Sequence, residues 1–340
     1  MSQTRRQFAA SALALALAPP VRAEAARTAL VIACGASQGG WPAQTRLAYE
    51  KAIEQGADFL EGGLVCSKDG ILVVRADDEL SGTTDVATRA DFAARRATRV
   101  IGGETREGWF TEDFTLAELK SLTLTGAARG RRVVRDAPPA ILTLEELIAI
   151  ARAGSVRQAR VVGVYAFLRH PAYFASLDLA LEHRLAQVIR AQGYDSPAAA
   201  LLVASDDLSS LRTMAGLTRA RRVLRMGGGA NLGTGAPRPD LQSLAGQVFA
   251  VAPDADQVLD VSDPRLIKPS GLVQAAHTAG LEVHAWAGTT GGAFPATPFR
   301  SGDARKLIAA LFEAGCNGVC GDPASLLARA RADAGSAHRG

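Results

Sequence analysis

The sequence lacks the features that identify a membrane-spanning, zinc-binding or nucleic-acid-binding protein. Its N-terminal apolar run, residues 9–18, is about half as long as the roughly 20 residues that a bilayer-spanning helix needs. The four cysteines contain no Cys-x-x-Cys pair, so a zinc site has little support. Only five histidines are present, which leaves few candidates for proton transfer near neutral pH.

The first 23 residues have the pattern of an export signal. Arg5 and Arg6 precede the short apolar run, and small residues lie at the end of the segment, residues 21–23. This pattern is typical of twin-arginine signals, so we expect cleavage near Glu24 and a periplasmic or secreted protein. Cleavage would leave 35 basic residues against 34 acidic ones and lower the formal charge from +4 to +1. The pI of 9.0 is therefore no reason to expect a nucleic-acid or membrane partner.

The remaining chain alternates between strand and helix patterns. An apolar run at residues 29–32 is followed by an amphipathic helix at 43–55 and a buried strand at 59–65. A third strand at 71–74 follows the Lys68-Asp69-Gly70 turn, and this order predicts a parallel β/α fold. Further strand patterns lie at residues 160–165, 198–204, 222–225, 248–252, 281–286 and 318–320. The count approximates the eight strands of a single (β/α)8 TIM barrel over residues 24–332.

Two segments fall outside the barrel pattern. Residues 78–140 have no strand period and are rich in Arg, Thr and Gly. We expect them to form an insertion after the third strand that caps the barrel mouth. Residues 333–340 are expected to form a disordered tail.

Six short segments match the motifs of an enzyme family at the same spacing. They are Ala33-Cys34-Gly35-Ala36-Ser37, Pro42-Ala43-Gln44-Thr45, Gln55-Gly56-Ala57-Asp58, Leu60-Glu61-Gly62-Gly63, Ser67-Lys68-Asp69-Gly70 and Val74-Arg75-Ala76-Asp77. The chain resembles the glycerophosphodiester phosphodiesterase family, especially its periplasmic, metal-dependent branch, from about residue 29 to 323. In that family the segments read roughly A-H-R-G-A-S, P-E-[NH]-T, Q-G-A-D, [LI]-E-x-D, T-K-D-G and V-x-H-D. The resemblance implies a TIM barrel of the phospholipase-C-like phosphodiesterase type.

The resemblance also implies hydrolysis of glycerophosphodiesters to glycerol 3-phosphate and an alcohol. In the family two Glu and one Asp hold a divalent cation, two His transfer protons, and Arg and Lys balance the phosphate charge. Most of these positions are substituted here. The two His positions fall on Ala33 and Ala76. The Arg position falls on Cys34 and the Lys position on Arg169. The metal positions fall on Ala43, Glu61 and Gly63, and a further acidic position falls on Phe167. Glu61 is the only surviving metal ligand, and one carboxylate cannot hold a hard divalent ion tightly.

Six residues remain candidates for binding a ligand: Glu61, Arg75, Asp77, Arg169, His284 and Trp286. Arg75 and Arg169 could form a cationic mouth that binds phosphate, or strand alternation could turn Arg75 outward. His170 follows Arg169 and could help to bind an anion or cap the next helix. His284 ends a predicted strand and is expected to face the mouth on alternation with Trp286. It could line a substrate pocket or be a buried, hydrogen-bonded histidine.

The cysteines allow two interpretations. Cys34 ends the first predicted strand and Cys320 the last, and these strands are neighbours in a closed barrel, so a disulfide is geometrically possible. We favour the alternative that both are small apolar packing residues.

Three functions are compatible with this sequence. We expect an exported, catalytically degenerate family member that binds a small anionic, phosphodiester-like ligand or a partner. The first alternative is an active phosphodiesterase with rewired catalysis through Glu61, Asp77, Arg169 and His284, and only then is Ca²⁺ or Mg²⁺ expected as cofactor. The second is a structural or interaction protein.

Overall fold

The main sheet of the protein closes on itself. The computed structural model describes residues 28–35, 42–125, 140–227, 240–260, 267–289 and 304–337. Within these ranges the strands are β1 (Leu30–Cys34), β2 (Phe59–Cys66), β3 (Leu72–Val74), β4 (Ala97–Ile101), β5 (Glu104–Gly108), β6 (Leu142–Thr143), β7 (Gly163–Leu168), β8 (Leu201–Ser205), β9 (Arg221–Arg225), β10 (Ala250–Ala252), β11 (Leu259–Asp260), β12 (Lys268–Pro269), β13 (Glu282–Thr289) and β14 (Gly318–Asp322).

Eight of the described strands pair in parallel around a barrel. Their order is β1, β2, β7, β8, β9, β10, β13 and β14, and β14 pairs again with β1. Parallel neighbours need a long crossover connection, and here helices supply it and cover the outside of the barrel. The predicted (β/α)8 TIM barrel is confirmed.

The helices within the described ranges are α1 (Arg46–Glu54), α2 (Leu116–Ser121), α3 (Leu144–Gln158), α4 (Pro171–Ser176), α5 (Leu181–Ala191), α6 (Leu208–Leu217), α7 (Leu241–Leu244), α8 (Ala255–Val258), α9 (Leu272–Thr278), α10 (Ala304–Glu313) and α11 (Ala324–Ala337). Local sequence sets several of their starts. At α3 the Thr143 hydroxyl accepts from the Glu146 amide at 3.2 Å, and the Glu146 carboxylate accepts from the Thr143 amide at 2.8 Å. This capping box satisfies backbone donors that the first turn leaves free. The described residues include no helix long and apolar enough to cross a bilayer.

The third predicted strand is not a barrel strand, which corrects the sequence interpretation. β3 pairs antiparallel with β2, so that Leu64 lies opposite Val74. The cause is the tight turn between them, in which the Gly70 amide donates to the Ser67 carbonyl at 2.9 Å and Gly70 has φ 81°. Strands joined by so short a turn can pair only antiparallel. The next barrel strand is β7, which begins at Gly163 and not at the predicted residue 160.

The insertion after β3 contains regular structure that the sequence interpretation missed. β4 and β5 form an antiparallel hairpin over residues 97–108, and α2 follows it. Arg106 of this hairpin pairs with Asp77 at 2.7 Å, and Asp77 follows β3. The prediction of no strands between residues 78 and 140 was therefore wrong for the hairpin, and residues 126–139 lie outside the described ranges.

The two ends of the chain differ in what the structure describes. α11 runs to Ala337, and Asp333 pairs with Arg305 of α10 at 2.6 Å. The prediction of a disordered tail is therefore wrong for residues 333–337, while residues 338–340 lie outside the described part. The proposed export signal, residues 1–23, also lies outside it.

Apolar side chains fill both the space under the helices and the inside of the barrel. The inner group includes Phe59, Tyr165, Leu202 and Val223, one from each of four neighbouring strands. A disulfide joins Cys34 of β1 to Cys320 of β14 within this group, with the two Cα atoms 5.7 Å apart. Our preference for two unbonded packing cysteines was wrong, because β1 and β14 are neighbours and both side chains lie in the inner group, with Cys320 in register with Ile32, two residues before Cys34.

Candidate functional site

Five side chains gather inside the barrel toward the carboxyl ends of its strands, which is the end that bears function in barrels of this kind. They come from β2, β7 or the residue after it, β9 and β13, and are Glu61, Phe167, Arg169, Arg225 and Trp286. We call this group the central site. It unites three sequence-predicted residues, Glu61, Arg169 and Trp286, with two that were not predicted to bind.

Glu61 is the single carboxylate on the inner face of β2. It is 6% exposed, and its Oε2 accepts a hydrogen bond from the Gly35 amide at 3.0 Å. Burial raises the pKa of Glu61 to about 7, although the charges of Arg169 and Arg225 and the Gly35 hydrogen bond act against the rise. Glu61 therefore changes charge near neutral pH.

Arg169 follows β7 and offers hydrogen-bond donors at the central site. Its guanidinium carbon lies 5.0 Å from the centre of the Phe167 ring, a distance at which the cation and the ring attract. Its Nε is buried and has no hydrogen-bond partner among the described residues. A half-buried guanidinium with an unused, buried Nε donor is suited to an anion.

Arg225, the last residue of β9, is the second cation of the central site. Its guanidinium carbon lies 4.7 Å from the centre of the Trp286 ring, Nη1 donates to the Ala252 carbonyl at 2.9 Å, and Nη2 pairs with Asp254. The Phe167 and Trp286 rings lie 5.9 Å apart, so each arginine packs on one of two neighbouring rings. Sequence reasoning missed Arg225, although its place at the end of a predicted strand was an available signal.

His284 does not lie where alternation with Trp286 placed it. It is the third residue of the eight-residue strand β13 and pairs in register with Gly318, the first residue of β14. Its ring is fully buried, and its Nε2 lies 3.3 Å from a Glu282 carboxylate oxygen. The prediction that His284 ends the strand at the mouth was wrong, because β13 extends further toward the mouth than the sequence pattern indicated.

Arg75 follows β3, outside the barrel, so barrel-strand alternation does not set its direction. It is 6% exposed, and its guanidinium donates to the Thr83 hydroxyl of the insertion. Burial lowers the pKa of Arg75 to about 10, against the opposing charges of Asp77 and Glu79. Arg75 thus lies between β3 and the insertion.

Asp77 is part of a second group at the edge of the mouth. Asp77, Asp78 and His170 each place one ligand atom within 4.8 Å of the others, and we call them the rim cluster. Burial first, and then the neighbouring Asp77 carboxyl, raise the pKa of Asp78 to about 8. Burial also acts to raise the pKa of Asp77, but its contacts with Asp78 and Arg106 hold that pKa below the usual value. The two carboxyls therefore differ in charge near neutral pH.

Fold and site together define a (β/α)8-barrel protein in which the charged residues of the central site lie toward the carboxyl ends of the strands. Residues 36–325 match the glycerophosphoryl diester phosphodiesterase family. The match covers most of the chain, and the chain belongs to this family.

Individual relatives agree with the assignment. A glycerophosphodiester phosphodiesterase of Arabidopsis thaliana, GDPD6, is 30% identical over 272 residues, which cover 73% of this chain and 71% of the relative. A second Arabidopsis enzyme, GDPDL7, is 26% identical over 264 residues, but the match covers only 34% of that longer protein. A phosphodiesterase of Oleispira antarctica, solved with the product sn-glycerol-3-phosphate, has the same fold with a TM-score of 0.60 at 20% identity, and the match covers 88% of this chain and 96% of that one.

The residues that the sequence resemblance assigns to the family's metal positions offer few ligand atoms in this structure. Ala43 and Phe167 carry no ligand atom, and Glu61 remains as a lone carboxylate near two guanidinium groups. At Gly63 a Cβ atom would lie 2.4 Å from the Arg75 carbonyl oxygen, so the backbone of the chain after β3 occupies the place of a side chain. Cys34, which the resemblance assigns to the family's Arg position, forms the disulfide with Cys320.

Proposed function

We propose that this family member has lost phosphodiester hydrolysis and binds a small anionic, phosphodiester-like ligand at the central site without a metal. The proposal rests on the side chains that lie at the strand ends in place of those the family has there. Carboxylate and imidazole positions of the family hold Ala, Gly and Phe, while Arg169 and Arg225 each pack on an aromatic ring.

The charges of the central site favour an anion. Arg225 already pairs with Asp254, whereas Arg169 keeps a buried donor without a partner among the described residues. Glu61 and Asp77 are opposing charges that act on Arg169, and the raised pKa of Glu61, about 7, removes much of the charge of Glu61 at neutral pH. A phosphate oxygen would therefore meet a guanidinium whose buried Nε donor is unused, and hydrogen bonds to such a charged donor are strong.

The positions of the histidines oppose hydrolysis. Proton transfer requires a group within hydrogen-bond reach of the reacting oxygens. His284 is fully buried two residues before Trp286 on β13, and its ring lies 5.9 Å from that of Tyr165. His183 is exposed on α5, and His170 belongs to the rim cluster. Rewired catalysis through Glu61 and His284, the alternative from the sequence, would need this fully buried imidazole to reach a substrate at the mouth.

We also propose export through the twin-arginine route to the periplasm or cell exterior, which rests on the pattern of residues 1–23. The Cys34–Cys320 disulfide supports this proposal, because disulfides persist mainly in oxidising compartments. Fusion of residues 1–30 to a reporter that is active only after export tests it. Export that is lost on Arg5→Lys together with Arg6→Lys is the expected result, and export that survives the double substitution contradicts the twin-arginine route.

Calorimetric titration with glycerophosphocholine and sn-glycerol 3-phosphate, in the presence of a chelator, tests binding. We expect saturable binding that weakens roughly 10- to 100-fold in Arg169→Ala, because a hydrogen bond to a charged group contributes roughly 1.5–3 kcal/mol. Arg152→Ala is a matched control, since Arg152 also packs on a ring, that of Tyr194 at 5.1 Å, but on α3 outside the barrel. Absence of binding in wild type, or equal losses in both variants, contradicts the proposal.

A further inference from the structure

The rim cluster brings together donors from two separate parts of the chain. Asp77 and Asp78 follow β3, and His170 lies in the turn between β7 and α4. One oxygen from each carboxyl group and one imidazole nitrogen lie within 4.8 Å of one another. Metal–ligand bonds of about 2.1 Å place opposite donors of one ion about 4.2 Å apart. The three groups are therefore close to the spacing that a single ion needs.

Two of the three side chains hold buried atoms without a partner. Asp78 is fully buried, and its Oδ2 has no hydrogen-bond partner within the described ranges. His170 Nε2 is also buried and unpartnered among these residues. Buried acceptors of this kind are costly to leave unsatisfied, and each such atom points to an occupant that completes it.

Two arginines act on the rim cluster, Arg106 by contact and Arg169 by its charge, and neither forms a hydrogen bond with these two atoms. Arg106 Nη1 donates to Asp77 Oδ1 at 2.7 Å and lies 3.3 Å from Asp78 Oδ1, while Nη2 reaches Glu104 at 3.1 Å. Arg106 thus contacts the Oδ1 atoms and shares its charge with a third carboxylate. Asp78 Oδ2 and His170 Nε2 keep no hydrogen-bond partner among the described residues.

We propose that the rim cluster binds one divalent first-row transition ion, of the Zn²⁺ or Mn²⁺ class, through Asp77, Asp78 and His170. Two carboxylates and an imidazole suit these ions, whereas Ca²⁺ and Mg²⁺ prefer oxygen ligands alone. The site is distinct from the family's metal positions, of which only Glu61 survives. Its ion would join the segment after β3 to the turn before α4.

Titration of the untagged chain with Mn²⁺, followed by the electron paramagnetic resonance signal of the free ion, tests the proposal. Melting temperature with Zn²⁺ is measured in parallel, because an ion that binds only the native state raises it. We expect one Mn²⁺ per chain and a rise in melting temperature with Zn²⁺. The affinity for each ion should fall by about tenfold or more in Asp78→Asn and in His170→Asn, as is common when the coordination of an ion is disturbed.

Two control variants make the result specific. His183→Asn removes an exposed imidazole on α5, and Glu61→Gln removes the surviving carboxylate of the family's position. Both should bind Mn²⁺ as wild type does. His170→Asn is the safer test of the cluster, because asparagine tolerates the left-handed backbone of residue 170 (φ 48°) and the site is only partly buried there. It decides the matter if Asp78→Asn does not fold.

The outcomes that overturn the proposal are distinct from those that overturn anion binding. No saturable binding of either ion, wild-type binding in His170→Asn, or a loss of binding in Glu61→Gln each contradicts the rim site. Arg169→Ala should retain Mn²⁺ binding while it loses the anion. The metal titration contains no organic phosphate, so its result does not depend on the central site.

Discussion

The central site and the rim cluster are neighbours with opposite charge. The central site has two guanidinium groups, each stacked on an aromatic ring, and one buried carboxylate. The rim cluster has two carboxyl groups and an imidazole, with Arg106 on one side. The first arrangement suits an anion and the second a cation.

The two regions also differ in the structural elements that carry them. The central site is built on barrel strands, and the Cys34–Cys320 disulfide joins two of these strands beside it. The rim cluster lies on segments that leave the barrel, next to an insertion. Four predictions test the central-site half of this comparison, from the largest expected effect to the smallest.

Loss of the disulfide should give the largest effect. Cys34→Ser should destabilise the fold by about 2–4 kcal/mol, because the bond closes a loop of 286 residues. Denaturant unfolding of oxidised protein measures the loss. Cys316→Ser, which changes a buried cysteine without a disulfide, is the control for size. Equal effects of the two substitutions would show that the bond does not stabilise the central site.

Replacing Gly63 by the Asp that the family has at this place on β2 should destabilise the protein and should not create a metal site. Gly63→Asp places a Cβ atom 2.4 Å from the Arg75 carbonyl, so we expect a loss of about 1–3 kcal/mol from overpacking. Ala43→Glu, at an exposed position, should change stability by less than about 0.5 kcal/mol. Thermal unfolding with and without Ca²⁺ measures both. A Ca²⁺-dependent rise in melting temperature in the double variant would show that the central site can still hold the family's metal.

The two arginines of the central site should differ in their contribution to stability. Arg225→Ala removes donors from the Ala252 carbonyl and from Asp254, and should cost about 1–3 kcal/mol. Arg169→Ala should leave stability within about 0.5 kcal/mol, since no protein hydrogen bond of its guanidinium occurs within the described residues. Urea unfolding of the two variants measures these losses of stability. A large loss of stability in Arg169→Ala would give this residue a structural role and weaken the case for a ligand.

Anion affinity should depend on pH through Glu61. An anion nearby favours the protonated carboxyl, so binding should strengthen as pH falls through about 7. A ligand that raises the pKa by one unit should bind up to about tenfold more tightly at the acidic end. Glu61→Gln should bind with the acidic-end affinity at every pH in this range. Binding that strengthens as pH rises would contradict the assigned charge.

The barrel was predictable because its signals are local. Apolar strand runs alternate with amphipathic helices from residue 29 onward, and the family motifs cover the same frame. The antiparallel direction of β3 could also have been predicted, since the five residues that connect β2 to β3 are too few for a parallel crossover. The sequence did not reveal the β4–β5 hairpin, because both strands are half exposed, and Glu104–Gly108 is polar and has no apolar period.

Only part of the candidate site could be predicted from the sequence, and the reason is physical. Glu61, Arg169 and Trp286 follow from strand ends and motif positions. The end of a predicted strand made Arg225 a possible candidate, but its distance to Trp286 is what places it in the site, and Asp78 stands out through its complete burial beside His170. Both depend on contacts between residues far apart in the chain. His284 was misplaced because a strand's length, and not its alternation alone, decides which end of the barrel a residue reaches.

The central claim is that the barrel binds small anions and does not hydrolyse them. Release of sn-glycerol 3-phosphate from glycerophosphocholine tests it most directly, with Ca²⁺, Mg²⁺, Mn²⁺ or a chelator, and with Glu61→Ala beside wild type. We predict no release above that of Glu61→Ala under any of these conditions. Metal-dependent release in wild type that Glu61→Ala abolishes would show that the family's catalysis survives in this chain.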